Sequence, residues 1–254
     1  MSEPREACPG PREARSDARR RVLAVGAHPD DVEFGCGAIL IKEAARGHEV
    51  LVLDLSRGES GTAGTPEERE REALEAARVM GVRLEFLPLE GDARLENRPA
   101  NAMQIAAAIR RFRPHLLLAP SPEENQHPDH ARASRLTRDA ARLARYGGIM
   151  GLTPATPHAI EALYFYDITG SSAGPPPAGL AKVIVDVTEA VETWKKAMAC
   201  HASQMQMRDY VGLLMARARA LGAEIGAGHA LAVWAADPLR VDALTDLPSA
   251  VRRY

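Results

Sequence analysis

Four short apolar runs, each followed by a longer amphipathic stretch, limit what this chain of 254 residues can fold into. They read RVLAVGA at 21–27, HEVLVLDLS at 48–56, RLEFLPL at 83–89 and PHLLLAP at 114–120. RVLAVGA, a continuous apolar run bounded by breakers, is a buried-strand signal, and the other three read as strands after it. Helices are expected from about Gly35 to Arg46, from Thr65 to near Gly81, over about 99–113, and on to about Tyr146. Thr65 starts its helix well, with Pro66 at the first helical position and Glu68 three residues on. Four such alternations call for an α/β fold, a mostly parallel sheet with helices on both faces. EALYFYDI (161–168) and AKVIVDVT (181–188) read as further strands around a turn-rich 169–179, with helices at about 189–204 and 210–222. HALAVWAADPLRVDAL (229–244) is ambiguous and reads as a last strand and tail.

Residues 1–20 are charged and proline-containing with no apolar core, so they read as a disordered extension rather than a secretory signal. Residues 21–254 read as a single domain, long enough to bury a sizeable core. A formal net charge of −2 gives no electrostatic reason for a nucleic-acid or membrane-surface partner. No apolar run is long enough to span a bilayer. Cys8, Cys36 and Cys200 are scattered without a C-x-x-C spacing, which fits a reducing cytoplasm.

In sheets of this kind the ligand crevice lies beyond the carboxyl ends of the strands. HPDD (28–31), RGESG (57–61) and ENQHPDH (124–130) all fall at that edge. Two adjacent aspartates where a buried strand emerges repel each other, and the pair makes sense if a cation sits there. His28, Asp31 and His130 offer the imidazole and carboxylate donors that suit zinc, and ferrous iron is also compatible. Asp30 is then left free to accept a proton from water. His127 is placed to stabilise an oxyanion and protonate a leaving amine, with Asp129 orienting it. The competing reading is structural: a His-Pro-Asp turn in which an aspartate caps the next helix.

AVGAHPDDVEFGCGAIL, the DLSRGESGTAGTPEERE segment, LLLAPSPEENQHPDH and VIVDVTEAVETWKKAMACHASQ resemble, in order, the LmbE-like (PIG-L) family of zinc-dependent N-acetylglucosamine deacetylases. The resemblance covers about residues 21–236 and is best to the branch containing the N-acetylglucosaminyl-malate deacetylase of bacillithiol synthesis. It implies a Rossmann-like fold, His28, Asp31 and His130 as metal ligands, Asp30 as general base, and His127 with Asp129 as the assisting pair. It further implies a small-molecule amino-sugar substrate, hydrolysis of its N-acetyl group, and a homo-oligomer of up to six subunits. Arg57, with Glu59 beside it, takes the position of a substrate contact. His229, in HALAV, stands where the family tends to carry a tyrosine thought to help hold the oxyanion, and LPLEGDARLENR lacks the family's Pro-Asp-Gly after strand three.

Other readings stay open at this point. The chemistry could act on a glycosylated antibiotic or a chitooligosaccharide, or the metal could be held without turnover. A dinucleotide site is disfavoured, because GAHPDDVEFG has no G-x-G-x-x-G and its aspartates would repel phosphate. Cys36, between Gly35 and Gly37, reads as a tightly packed helix position. His48, His115, His158 and His201 fall in no ligand cluster, and the arginine-rich helix at 132–145 reads as a solvated face.

Overall fold

The computed structural model describes residues 19–123, 127–152, 155–168, 179–206 and 208–243. Most of the expected extension at 1–20 and of the turn at 169–179 lies outside these residues. The first five strands are β1 (Arg21–Gly26), β2 (Glu49–Asp54), β3 (Arg83–Phe86), β4 (Leu116–Pro120) and β5 (Ala162–Tyr166). With β6 (Ala181–Asp186) and β7 (Ala230–Ala235) they form one seven-stranded sheet in the order β3-β2-β1-β4-β5-β7-β6. All neighbours from β3 to β5 pair in parallel, while β7 runs antiparallel to both β5 and β6. The ambiguous C-terminal segment therefore contains a strand at its start, β7, which fills an interior place in the sheet.

Along β1 the side chains alternate between two cores, as the twofold period of a strand requires. Val22 and Ala24 join α1 (Asp31–Ala45), α5 (Val191–Ala199) and α6 (Tyr210–Ile225) on one face. Leu23 and Val25 join α3 (Pro99–Phe112) and α4 (Pro128–Arg145) on the other. Chain order reverses between β1 and β4, so a crevice opens beyond their carboxyl ends, where doubly wound sheets bind ligands.

Two local features shape that crevice. α1 begins at Asp31, four residues earlier than the sequence pattern suggested, and Asp30 before it has φ 106. Every residue of α1 from Asp31 to Ile41 is buried, so no amphipathic stripe marks its start. α2 (Pro66–Met80) begins as expected, with Thr65 Oγ1 accepting the Glu68 N–H at 3.2 Å.

Candidate metal centre

The first loop is folded back on itself by Asp31. Its Oδ2 accepts the backbone N–H groups of Ala27 and His28, each at 2.9 Å. That closure leaves Oδ1 facing His130 Nε2 at 3.1 Å, and His28 Nδ1 lies 3.4 Å from Oδ2. His130 reaches this point because of how α4 begins. His127 is the N-cap, its Nδ1 accepting the Asp129 N–H at 3.2 Å, and Pro128 pre-sets the first turn. Asp129 and His130 are thereby buried in that turn.

His28, Asp31 and His130 present donor atoms that all lie within 4.8 Å of one another. The set is two imidazoles and one carboxylate, and His28 Nε2 is buried without a hydrogen bond, 3.1 Å from Asp92 Oδ1 but misaligned with it. These residues fit a divalent cation of the zinc type. Behind them Asp92, His127 and Asp129 gather on His28 within the same mutual distance.

In the metal-free protein the charges are tightly interlocked. Burial alone would push Asp31 up, but the His130 and His28 rings overcome it and hold its carboxyl well below the usual range. Burial works against a charged His28 as well, yet Asp31, Asp129 and Asp92 raise its pKa well above the ordinary value. Asp30 goes the other way: burial pushes it up to about 6, against the pull of Arg69. His127 is the most open of the group, and burial together with the neighbouring His28 lowers its pKa.

The structure brings His28, Asp31, His127, Asp129 and His130 together, with Asp30 alongside. It does not pair the Asp129 carboxylate with the His127 ring. Asp129 Oδ2 takes the Ala93 N–H at 2.7 Å and Oδ1 takes Arg132 at 2.7 Å, while His127 Nε2 faces Asp92 Oδ1 at 3.6 Å. Arg57 turns away to Glu70 and Glu67 on the outer side of α2, because those carboxylates lie within 2.8 and 3.2 Å. Glu59 braces one loop against the next, accepting the N–H groups of Arg57 at 3.0 Å and Asp92 at 2.9 Å. His229 precedes β7 and is fastened to Thr188 through its own backbone N–H at 3.0 Å, with no contact to the cluster among the described residues.

Two residues of the site escaped the sequence reading. Arg69, from α2, donates to the carbonyls of Pro29 at 2.8 Å and Gly58 at 3.3 Å and lies 3.4 Å from Asp30 Oδ2. Gly58, at φ 73, is required for this approach, since a Cβ there would overlap the Arg69 guanidinium. Asp92 is the other, held by the Ser60 N–H at 3.2 Å. Gly91-Asp92-Ala93 thus occupies the loop after β3, with Ala93 in the left-handed region at φ 63. His201, read as lying outside any cluster, is fully buried 3.7 Å from Glu33.

Residues 23–141 match the family model described as PIG-L, GlcNAc-PI de-N-acetylase. The diacetylchitobiose deacetylase of Thermococcus kodakarensis is 28% identical over 200 residues, covering 73% of this chain and 70% of that protein. The crystal structure of a conserved protein from Thermus thermophilus superposes with a TM-score of 0.76 at 33% identity, covering 91% of this chain and all of the other. The 4-carboxy-2-hydroxymuconate hydratase GalB of Pseudomonas putida shares the fold, with a TM-score of 0.77 at 21% identity over 89% of this chain and 99% of that one.

Proposed function

We propose that this chain is a member of the PIG-L/LmbE deacetylase family and hydrolyses the N-acetyl group of an N-acetylglucosamine-containing small molecule, a reading supported by the family-model match over residues 23–141 and by the deacetylase relatives. The observation that carries the reading is the convergence of His28, Asp31 and His130 at the carboxyl end of the sheet, with Asp30 next to them in the chain. In our reading these three residues hold a divalent cation, zinc first and ferrous iron as the alternative. Such an ion, when bound, supplies Lewis acidity toward the amide carbonyl and acidifies water.

The chain's own residues supply the proton chemistry. Asp30 accepts the proton of the attacking water, and Arg69 steers its carboxylate from 3.4 Å. His127, a third exposed, is the group we assign to protonate the departing amine, relaying the proton that Asp30 takes from water and so returning to its neutral form. Asp92 lies 3.1 Å from His28 Nε2 and 3.6 Å from His127 Nε2, so one carboxylate places negative charge beside both rings. Asp129, clamped between Ala93 N–H and Arg132, fixes the wall of the site.

The malate conjugate of bacillithiol synthesis is our first candidate substrate, with chitobiose and inositol conjugates as neighbours in the same class. A homo-oligomer in the cytoplasm is the setting we assign. The free thiols of Cys36 and Cys200 agree with a reducing compartment, and no helix among the described residues is long and apolar enough to cross a membrane. The test is acetate release from N-acetylglucosaminyl-malate, diacetylchitobiose and free N-acetylglucosamine by zinc-loaded and chelator-treated protein. Asp30→Asn should retain metal and lose activity by about 10²–10⁴-fold. Wild-type turnover in that variant sinks the assignment, as does hydration of 4-carboxy-2-hydroxymuconate with no acetate released from any amino sugar.

A further inference from the structure

A cavity of about 750 Å³ opens beside the cluster, bounded by the loop after β3 and the first turn of α4. Its wall and the metal centre share a residue pair. Asp92 reaches inward to His28 while the next residue, Ala93, lines the cavity. Asp129 ties the two regions together, taking the Ala93 N–H on one oxygen and the Arg132 guanidinium on the other. The cavity and the metal centre are thus joined through Asp92–Ala93 and Asp129.

The charges lining it are unequally committed. Glu90 is held by Asn101 Nδ2 at 2.7 Å with Arg98 at 3.7 Å, and Glu96 is paired with Arg98 at 2.7 Å. Arg94 is exposed on the same wall, and among the described residues no carboxylate lies within ion-pair distance of it. Arg132 spends one nitrogen on Asp129 and is 39% exposed, leaving other donors free. Two guanidiniums, one of them without a counter-ion, face a space next to the reacting end of the site. Guanidinium forks match carboxylate and phosphate oxygens in geometry and charge.

We propose that Arg94 and Arg132 form a subsite for an anionic group, a carboxylate or a phosphate, carried by the substituent on the amino sugar. The proposal rests on the amino-sugar reading for its orientation, and binding tests it separately from turnover. The probes are glucosaminyl-malate, glucosamine 1-phosphate and neutral methyl glucosaminide, titrated by calorimetry into zinc-loaded protein. Either anionic probe should bind at least about tenfold tighter than the methyl glycoside, and Arg94→Gln should erase about tenfold of that preference. The malate and phosphate arms say which anion the subsite takes. Arg94 makes no ion pair that folding needs, and an unchanged melting temperature verifies this for the variant.

Equal binding of all three probes by wild type overturns the subsite, as does an Arg94→Gln variant that keeps the full preference. Acetate release from the N-acetylated forms is measured in parallel. Binding preference without acetate release refutes the deacetylase reading and leaves the subsite standing. Acetate release without preference does the reverse.

Discussion

Gly35→Ala sets two known effects against each other. In a helix interior alanine is favoured over glycine by about 1 kcal/mol, so propensity alone predicts a more stable protein. Gly35, however, lies against the fully buried Tyr166 ring. A Cβ there would stand 2.6 Å from Tyr166 Cε2 and 2.9 Å from the Asp167 carbonyl. The ring cannot swing aside freely, because its hydroxyl donates to the Val25 carbonyl at 2.7 Å. Overpacking of this kind costs about 1–3 kcal/mol, and losing the hydroxyl bond adds about 1. The net expectation is destabilisation by about 2 kcal/mol, a fall of roughly 4–8 °C in melting temperature for a domain of this size. Zinc affinity should fall as well, since Asp31 rides on the first turn of the displaced helix. Gly37→Ala is the control: its new Cβ would meet Trp194 and Met80 at 3.2 and 3.3 Å, a milder contact, and stability should stay within about 0.5 kcal/mol. Urea unfolding of the metal-free proteins reads both. A Gly35→Ala midpoint at or above wild type refutes the packing argument.

Ala93→Gly relieves a left-handed alanine and should raise stability by about 0.5–1 kcal/mol, read as an upward shift in urea midpoint. Arg57→Ala should leave acetate release within about twofold, whereas Arg69→Met should lower it at least about 100-fold; equal effects would mean that the wrong arginine has been assigned to the site. Burial disfavours a charged His201 ring, but Glu33 at 3.7 Å outweighs it, so the folded metal-free protein holds this pKa above its ordinary value. A raised histidine pKa contributes stability that is whole below about pH 6.5 and fades as pH rises through the folded value. The stability gap between wild type and His201→Gln should therefore narrow as pH rises above about 6.5 in urea titrations, and a constant gap refutes the pairing.

What the sequence disclosed follows from how local each signal is. β1, β2 and β4 are buried on both faces, so their runs are unbroken and stand out, whereas β3 is the edge strand, with Arg83 exposed and a run broken by charges. β7 did not stand out, because its place between β5 and β6 is decided by distant pairing, Val233 with Tyr166 on one side and with Val183 on the other. The histidines and aspartates of the metal centre come in two contiguous motifs, whereas Asp92 and Arg69 are single residues recruited from other elements. Arg57 drew notice through its glycine-rich loop. The better signal was the stripe Arg69, Glu72, Ala73, Ala76, Ala77 and Met80, the buried face of α2. Two charged residues on a helix's inner stripe need partners, and Arg69 finds them in Pro29, Gly58 and Asp30, as Glu72 does in Ser203 at 2.6 Å.

The adjacent aspartates at 30 and 31 belong to a wider excess of buried carboxyls. Asp54 sits beneath them with neither oxygen hydrogen-bonded, and burial, reinforced by Glu33, Asp31 and Asp30, pushes its pKa well up. Without a metal the cluster balances its charge with protons: the His28 and His130 pKa values are both raised, by Asp31 above all, against the opposing effect of burial. A divalent ion needs those imidazoles neutral, so it must displace the protons they hold. Zinc binding near neutral pH should accordingly release about one to two protons per ion, and apparent affinity should rise with pH over the range where the two rings titrate. Calorimetric titrations in buffers of different ionisation enthalpy count the released protons directly. Replacing Asp31 with asparagine removes the group that keeps the rings charged, so the residual binding should be weaker and release fewer protons. A proton count of zero in the wild type would mean that the rings are already neutral, and that the paired aspartates are not held in place by histidine charge.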